Sequence, residues 1–321
     1  SKGVEAQTRK LFKVCAMRHI PVFTFINKMD REARDIFDLL DEIEKELGIP
    51  TCPVNWPIGS GKQFAGVYDR KSQKIDLFED TMKGTKMGTM KEIALDDPEI
   101  SKYVTDDAKA VLEEEIELLD GASAEFDQEL VDSGELSPVF FGSALTNFGV
   151  ETFLEHFLKM TTSPLPRMSD KGEIDPMEEK DFSAFVFKTI ADPFVGKISL
   201  FRVITGKING EMIALNPNKD KQEKLNHLFF LKGKNQISTQ EIVSGDIGAV
   251  SKLQYTATGD TLCSEEFKVM YDKINLPKAV MPMAILPKSK GDEEKISLSL
   301  SKLMEEDPVF KVERDVENAE T

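Results

Sequence analysis

The sequence predicts a multidomain chain, with a partial α/β domain first, a β-barrel second and a truncated α+β domain last. A near-continuous apolar run from Pro21 to Ile26 lies between two helical patterns. Such a run is typical of a strand in a parallel sheet that is covered on both faces. Short alternating segments with regular turn signals then fill residues 182–272, which favours a barrel. Residues 273–321 begin a β-α-β pattern with too few elements to close a sheet over its helix.

The first domain, residues 1–163, is predicted from helical and extended patterns that alternate along the chain. Gly48 is placed to end the second helix, and the prolines between Thr51 and Ile58 limit strand pairing there. Helices are predicted at residues 4–18, 37–47, 106–131 and 153–160, and strands at residues 21–26, 51–58, 67–68, 75–78 and 138–141. The buried stripe of the third helix is predicted to consist of Val111, Leu112, Ile116 and Leu119.

Residues 164–181 contain prolines, glycine and alternating charges, and we interpret them as a linker. In the last domain, strands at 279–286 and 309–312 are expected to flank an amphipathic helix that Asp292 can cap. Barrel strands are predicted at residues 182–190, 198–204, 212–215, 224–231 and 247–255.

The formal net charge of −16 argues against binding nucleic acid through the whole surface. One short stretch of the acidic chain is nevertheless rich in lysine. It is either a local contact for RNA or a solvated strand-and-loop face, and the residues alone leave both open. Its members are Lys219, Lys221, Lys224, Lys232 and Lys234.

The 3 cysteines are far apart, odd in number and without the spacing of a metal site. They fit a reduced cytosolic setting better than a disulfide framework. No apolar run is long enough to span a bilayer, and the first residues do not lead into a signal-peptide core. We therefore expect a cytoplasmic protein with no membrane partner and no bound metal.

Asn27-Lys28-Met29-Asp30 directly follows the apolar strand and carries the clearest chemical signal. An Asn-Lys-x-Asp loop at the end of a sheet strand suits recognition of guanine. Asp30 can accept hydrogen bonds from the ring N–H and the exocyclic amino group, while the Lys28 stem lies along the base and Asn27 ties neighbouring loops together. Adenine lacks this donor pair and would leave the carboxylate unpaired, which penalises ATP. The alternative is an ordinary polar turn.

Gly142-Ser143-Ala144-Leu145 follows the predicted strand at 138–141. Its small residues allow a backbone N–H to approach the guanine O6, an acceptor that adenine does not have. Alone, this segment is more often a plain strand-to-helix turn. Ligands bind at the carboxyl ends of parallel strands, so together with the Asn-Lys-x-Asp loop it predicts one guanine site.

Two other features are interpreted as structural. Gly59 to Lys62 resembles a phosphate loop, but the pattern G-x-x-x-x-G-K-[ST] needs Gly where Trp56 stands and Ser or Thr where Gln63 stands. No helical pattern follows it, so no helix N-terminus would face an anion. The histidines show no metal spacing and no evident nucleophile, and we interpret all of them as structural or surface residues; they are His19, His156 and His227.

Residues 1–183 resemble the later half of the GTPase domain of bacterial peptide chain release factor 3. The matching segments are Asn27 to Arg31, Trp56 to Gly59, Phe64 to Tyr68 and Phe141 to Val150. This resemblance makes the first domain a partial P-loop-type GTPase domain, with Asn27, Lys28, Asp30, Ser143, Ala144 and Leu145 as its guanine-binding residues.

Residues 184–321 instead resemble elongation factor G, in its second domain and the start of its third. The matching segments are Ala184 to Lys197, Gly245 to Val250, Thr258 to Leu262 and Glu305 to Pro308. The chain is therefore interpreted as a composite of two relatives that join near the linker. A natural hybrid, an engineered fusion and an assembly error remain open.

Both families are ribosome-bound GTPases, so the resemblance implies GTP or GDP as ligand and the ribosome as partner. The release-factor resemblance adds decoding release factors as partners and GTP-linked removal of them after peptide release. The elongation-factor resemblance implies translocation. The decoding-site arm of elongation factor G lies beyond its third domain and has no counterpart here, which favours the release-factor role.

Both families begin with a phosphate loop, a first switch and an Asp-x-x-Gly-His element, and none of these occurs in this sequence. Phosphoryl transfer needs phosphate cradling, Mg²⁺ and a placed water. The sequence therefore predicts no catalytic residue, and no ligands for the Mg²⁺ that the families imply. Three hypotheses follow: a GTPase whose N-terminal part lies outside this sequence, a ribosome-binding module without turnover, or a fragment without independent function.

Overall fold

The computed structural model describes residues 2–78, 90–289 and 291–313. The chain divides into two compact units, Ser1–Thr162 and Ser163–Thr321. The Gly-, Lys- and Met-rich connection predicted in the first domain falls largely on residues 79–89, outside the described residues. Within the described ranges, no helix has both the length and the apolar character needed to cross a bilayer.

A parallel sheet forms the centre of the first unit. Its order is β1 (Thr24–Ile26), β7 (Ser137–Phe141) and β2 (Thr51–Pro53). Every residue of β7 is buried, as expected for a central strand that is covered on both faces. The apolar run that begins at Pro21 becomes a strand only at Thr24, and proline has no N–H with which to start the ladder.

Helices pack around this sheet, and α2 ends at Gly48 as the sequence predicts. Asp35 accepts the Asp38 N–H at the start of α2, and Gly48 ends the helix in the left-handed conformation, with φ 70°. The helices of the first unit are α1 (Ala6–Ala16), α2 (Ile36–Leu47), α3 (Asp106–Ala122), α4 (Gln128–Asp132) and α5 (Val150–Met160).

The single helix predicted over residues 106–131 is wrong. Helix α3 ends at Ala122 because Ser123 takes an extended backbone conformation, and Asp127 then caps the separate helix α4 through the N–H groups of the following turn. Leu112 and Leu119 are buried as predicted, but Val111 is 52% exposed and does not belong to the buried stripe.

An antiparallel sheet lies beside the parallel one in the first unit, and consecutive strands pair in it. The strands are β3 (Asn55–Ile58), β4 (Gly66–Asp69), β5 (Lys74–Phe78) and β6 (Met90–Ala94). The strand predicted over 51–58 is therefore two strands in two sheets. The Val54 N–H still bonds to the Val139 oxygen at 2.9 Å, after which the chain leaves β7 and enters β3. Pro57 is tolerated because β3 is an edge strand.

Trp56 joins the two sheets of the first unit. It is fully buried, and its ring packs against those of Phe37 and Phe141 with centroids 5.1 and 5.2 Å apart. Its indole Nε1–H donates to Glu115 at 2.7 Å, which satisfies the one polar group of the side chain. Burial raises the pKa of Glu115, and the indole donor only partly offsets this.

Two buried carboxylates tie the antiparallel sheet to α5. Asp69 pairs with His156 at 2.8 Å, and Asp76 accepts the Thr152 hydroxyl at 2.6 Å. Burial acts to raise both pKa values. At Asp76 burial is the larger effect, and the pKa is raised. At Asp69 the hydrogen bond and charge of His156, together with two backbone N–H groups, outweigh burial, and the pKa is lowered.

The second unit is built on an antiparallel sheet of eight strands in barrel-like order. In spatial order these are β14 (Lys221–Leu225), β13 (Met212–Asn216), β19 (Thr261–Cys263), β10 (Ser183–Asp192), β11 (Gly196–Thr205), β18 (Ile247–Ser251), β15 (Leu228–Lys232) and β16 (Asn235–Ser238). A small sheet pairs β12 (Lys207–Asn209) with β17 (Glu241–Val243).

Several predicted boundaries in this unit are wrong. The strand predicted over 224–231 is two strands, because His227 has φ 57° and breaks the extended backbone. The strand over 247–255 stops at Ser251, before Lys252 with φ 65°. The interpreted linker contains a hairpin of β8 (Arg167–Ser169) and β9 (Gly172–Ile174).

The last segment contains the predicted helix but not the predicted strands. Helix α6 is Glu293–Glu306, and Glu306 accepts the Ala191 N–H of β10 at 2.7 Å. Asp292 precedes the helix without a side-chain capping bond. Residues 279–286 and 309–312 pair with no described strand, and an extended segment becomes a strand only by pairing.

Candidate functional site

The two predicted base-reading loops begin at the same edge of the parallel sheet. Strands β1 and β7 are neighbours, with Ile26 opposite Phe141, and the Gly142 N–H continues the ladder to the Ile26 oxygen at 3.1 Å. The carboxyl end of each strand therefore delivers its loop to one point. We call residues 27–30 the first loop and residues 142–148 the second loop.

Side chains of the first loop are bonded to the second loop. Asn27 Oδ1 accepts the Ala144 N–H at 2.9 Å and the Lys28 N–H at 2.7 Å. Asp30 Oδ1 accepts the buried Ser143 hydroxyl at 2.6 Å. The polar residues that the sequence singled out thus meet, and both loops hold the Asn27 and Asp30 side chains in place.

The main chain adds a further link through Met29. Its N–H donates to the Gly142 oxygen at 3.1 Å, and its side chain is fully buried. Lys28, with φ 71°, is exposed between the two anchored residues. Burial of Met29 fixes the first loop against the core while the lysine stem remains at the surface.

The second loop closes on itself. Ser143 and Phe148 form a backbone bridge with hydrogen bonds of 2.8 and 3.0 Å. Gly142 has no space for a Cβ, which would collide with the Phe148 carbonyl oxygen. Leu145 is 67% exposed at the tip, and no hydrogen bond among the described residues uses its N–H.

The segment that resembles a phosphate loop is a support for the first loop. Gly61–Gln63 forms a single 3₁₀ turn, and the Gly61 N–H donates to the Met29 oxygen at 2.9 Å. Gly61 thus has a structural contact, as the interpretation of this segment expects. His156 is buried against Asp69, and His19 and His227 occupy exposed turns.

Sequence reasoning missed Asn55. This residue is fully buried and its carboxamide bonds to both main-chain groups of Phe141, the residue before the second loop. The available signal was a polar residue within an otherwise buried stretch between two prolines.

The predicted RNA-contact lysines are all exposed, and within the described residues none belongs to an ion pair. Lys219, Lys221 and Lys224 lie on the β13–β14 turn and on β14, whereas Lys232 and Lys234 lie at the β15–β16 turn. Strand β14 is at one end of the sheet order and β15 is next to the other end. The lysines are thus divided between two hairpins, β13–β14 and β15–β16.

Comparison with known families decides the class of the protein. The family model described as the elongation factor Tu GTP binding domain matches residues 1–163, half of the chain.

The chain belongs to the translational GTPases.

The rest of this translational GTPase matches two further models, elongation factor G domain 2 over residues 181–265 and elongation factor G domain III over residues 276–321.

Curated relatives of this translational GTPase are named peptide chain release factor 3. The protein from Gloeobacter violaceus is 45% identical over 266 residues, which cover 82% of this chain and 50% of the relative. The protein from Symbiobacterium thermophilum is 43% identical over 269 residues, 83% of this chain and 51% of the relative. The chain spans about half the length of the curated relatives it matches.

A solved structure supports the fold. The crystal structure of ttk003000868 from Thermus thermophilus superposes with a TM-score of 0.71 at 26% identity, and the match covers 99% of this chain and 47% of that one.

The similarity to release factor 3 does not stop at the linker. Each alignment with these relatives is longer than the 183 residues assigned to that resemblance from the sequence. The models named for elongation factor G match the same later part of the chain. The two resemblances therefore overlap along the chain, and the sequence is explained without joining segments from two different proteins.

Membership of this family implies GTP or GDP as ligand, together with Mg²⁺. The described residues hold no group of three or more His, Cys, Asp or Glu side chains arranged for a metal ion.

Proposed function

We propose that the first unit recognises the guanine base of GTP or GDP through its two loops. The observation that carries this proposal is the pair of bonds Asp30–Ser143 and Asn27–Ala144, which fixes both loops at the carboxyl edge of β1 and β7. The proposed ligand residues are Asn27, Lys28, Asp30, Ser143, Ala144 and Leu145.

We infer separate tasks for these groups. Asp30 Oδ2 takes no hydrogen bond within the described residues, so the carboxylate can accept the ring N–H and the amino group of guanine. The Ala144 N–H is engaged by Asn27, which makes the Leu145 N–H the donor for guanine O6. Adenine presents an amino group at that position and no ring N–H to Asp30, and both mismatches oppose its binding.

We further propose that the chain acts as part of a release factor 3-like GTPase, in the GTP-linked removal of decoding release factors from the ribosome. The relatives named release factor 3 support this role because they align with more than four-fifths of the chain. The matches to elongation factor G domains support translocation as the second candidate. Either role places the chain on cytoplasmic ribosomes, with the exposed lysines of the second unit facing ribosomal RNA.

Binding of guanosine monophosphate (GMP) and adenosine monophosphate (AMP) tests the base site directly. Ligand-observed NMR at millimolar nucleotide should show GMP binding to wild type, loss of it in Asp30→Ala and weaker binding of AMP throughout. Asp41→Ala is the matched control, because Asp41 is an exposed carboxylate on α2 that bonds to Lys45 and not to either loop. Equal binding of GMP and AMP, or unchanged GMP binding by Asp30→Ala, would contradict the proposal.

A further inference from the structure

The end of strand β7 lacks a strand neighbour on one side. Strand β2 pairs with β7 only as far as Pro53 opposite Val139, and the Val54 N–H makes the last main-chain bond, to the Val139 oxygen. The chain then turns into the antiparallel sheet. Phe141, two residues further along β7, would be left with an unpaired N–H and C=O in the interior, which is costly.

Asn55 fills this gap with its side chain. Its Oδ1 accepts the Phe141 N–H at 2.7 Å, and its Nδ2 donates to the Phe141 oxygen at 3.3 Å. A carboxamide offers one donor and one acceptor side by side, and thus replaces one residue of a missing strand. Asn55 and Phe141 are both fully buried, so water cannot substitute for either bond.

The second loop begins at the next residue. Gly142 receives the Met29 N–H, Ser143 donates to Asp30, and Ala144 donates to Asn27. A shift of Phe141 would therefore be transmitted to every contact that holds the base-reading side chains. Trp56, the neighbour of Asn55, also packs on the Phe141 ring with centroids 5.2 Å apart.

The same segment supports the first loop. Strand β3 begins at Asn55 and leads to Gly61, whose N–H holds the Met29 oxygen at 2.9 Å. The antiparallel sheet thus reaches one base-reading loop through Asn55 and the other through Gly61.

We propose that Asn55 is a positioning residue for guanine recognition, acting through Phe141 on the second loop. This inference rests on the proposed base site and deepens it. Asn55 touches no base; it holds the strand end that sets the distance between Leu145 N–H and Asp30. Its loss lowers guanine affinity and base selectivity together.

The test compares Asn55→Ala and Asn55→Asp with the control Ser137→Ala. Asp keeps the acceptor for the Phe141 N–H but places an oxygen against the Phe141 carbonyl. Ser137 is buried at the other end of β7, and its hydroxyl bonds to Thr24 and Val22 at 2.8 and 3.0 Å. It therefore matches Asn55 in burial and in the number of its side-chain bonds, but it lies at the end of β7 away from the loops.

Two readouts are measured on the full chain. The first is the affinity for GMP compared with that for inosine monophosphate (IMP), which lacks the exocyclic amino group. The second is the set of NMR chemical shifts of the backbone amides of residues 143–145 without nucleotide. For both Asn55 variants we expect about tenfold weaker GMP binding, a smaller ratio of GMP to IMP affinity, and displaced amide shifts. Ser137→Ala should keep the wild-type ratio and shifts.

The outcomes separate the two proposals. Unchanged amide shifts in a folded Asn55 variant, or a GMP to IMP ratio equal to that of Ser137→Ala, would overturn the positioning role. If wild type bound no GMP, the base site itself would fail, while the amide shifts would still report on whether Asn55 sets the loop. If Asn55→Ala did not fold, Asn55→Asp would decide the outcome.

Discussion

The proposed base-reading edge of the first unit and the lysine surface of the second differ in how far folding fixes their polar groups. Hydrogen bonds within the two loops hold the side chains of Asn27, Asp30 and Ser143. The main chain of these loops is in turn bonded to neighbouring segments. Lys219, in the β13–β14 turn, and Lys232, at the end of β15, are exposed and have no ion-pair partner among the described residues. A site with fixed donors and acceptors can distinguish bases, whereas exposed charges contribute salt-dependent affinity without sequence preference. Each variant changes either the first unit, with its fixed polar groups, or the second unit, with its exposed lysines.

The largest effect is expected from the core that supports the base-reading edge. Phe140→Ala removes a fully buried ring of β7 and should lower the free energy of unfolding by about 3–5 kcal/mol. Trp56 is the only tryptophan of the chain and lies in the first unit, so its fluorescence during urea denaturation reports on this unit.

Phe201→Ala is the counterpart in the second unit, where Phe201 is equally buried. The hydrophobic clusters that contain Phe140 and Phe201 share no residue. We therefore expect Phe201→Ala to alter the circular dichroism transition and to leave the Trp56 transition much less affected. Equal shifts of the Trp56 transition in both variants would show that the two cores do not act separately.

Ser143→Ala tests whether the bond between the loops matters for binding. The hydroxyl donates to the Asp30 carboxylate, and a hydrogen bond to a charged group contributes about 1.5–3 kcal/mol. GMP affinity measured by NMR titration should fall by about tenfold or more. Thr146→Ala is a suitable control because its hydroxyl bonds only to the Ser143 oxygen, at 3.3 Å. Similar losses in the two variants would argue against a specific role for the Asp30 contact.

Asp69 and Asp76 should respond to pH in opposite directions. The pKa of Asp69 is lowered in the folded state, so its stabilising contribution is present above its unfolded pKa of about 4 and is lost as the pH falls through the folded pKa. The pKa of Asp76 is raised, so its contribution is present at low pH and is lost as the pH rises through the folded pKa.

At pH 7 we therefore expect Asp69→Asn to destabilise the first unit by about 2 kcal/mol. Asp76→Asn, which can still accept the Thr152 hydroxyl, should be neutral or stabilising. The difference between wild type and Asp69→Asn should shrink below about pH 4. Urea denaturation followed by Trp56 fluorescence across pH 3–7 provides the measurement; destabilisation of similar size by both variants at neutral pH would refute the assigned directions.

The smallest effect is expected at the lysine surface. Co-sedimentation of the chain with ribosomes should weaken with rising salt, and Lys232→Glu should reduce it, by about 1 kcal/mol or less at physiological ionic strength. Lys278→Glu, an exposed lysine outside the group, controls for the change in net charge. If Lys278→Glu reduced pelleting as much as Lys232→Glu did, net charge alone would account for the loss.

Helices and strands that follow a local sequence pattern were predictable from the sequence. The apolar run of β1, the 3.6-residue periodicity of α2 and the capping position of Gly48 report local physics and agree with the structure. The meeting of residues 27–30 with residues 142–148 was also predictable, because both segments follow parallel strands. Bringing Asp30 and Ser143 to 2.6 Å depends on β1 and β7 being neighbours, which the family resemblance implies and local pattern does not.

The wrong predictions have a common cause, because each depends on a tertiary contact that the local sequence pattern does not contain. The segment 51–58 looks continuous but changes sheet at Val54, and the segment 224–231 turns at His227. Residues 279–286 have strand composition but no pairing partner among the described residues. The position of Asn55 between two prolines marked it only weakly, because its role is to bond to the end of β7, which lies far away in the sequence.

The most direct test of the account is the base preference of Asp30→Asn. Xanthine carries a carbonyl where guanine carries the exocyclic amino group, and the asparagine amide can donate to it. NMR titration with GMP and xanthosine monophosphate should show that wild type prefers GMP and that the variant prefers the xanthine nucleotide, a change of about 3 kcal/mol in relative binding free energy. Asp41→Asn should keep the wild-type preference. A folded Asp30→Asn variant that still preferred GMP by the wild-type margin would contradict guanine recognition by the joined loops.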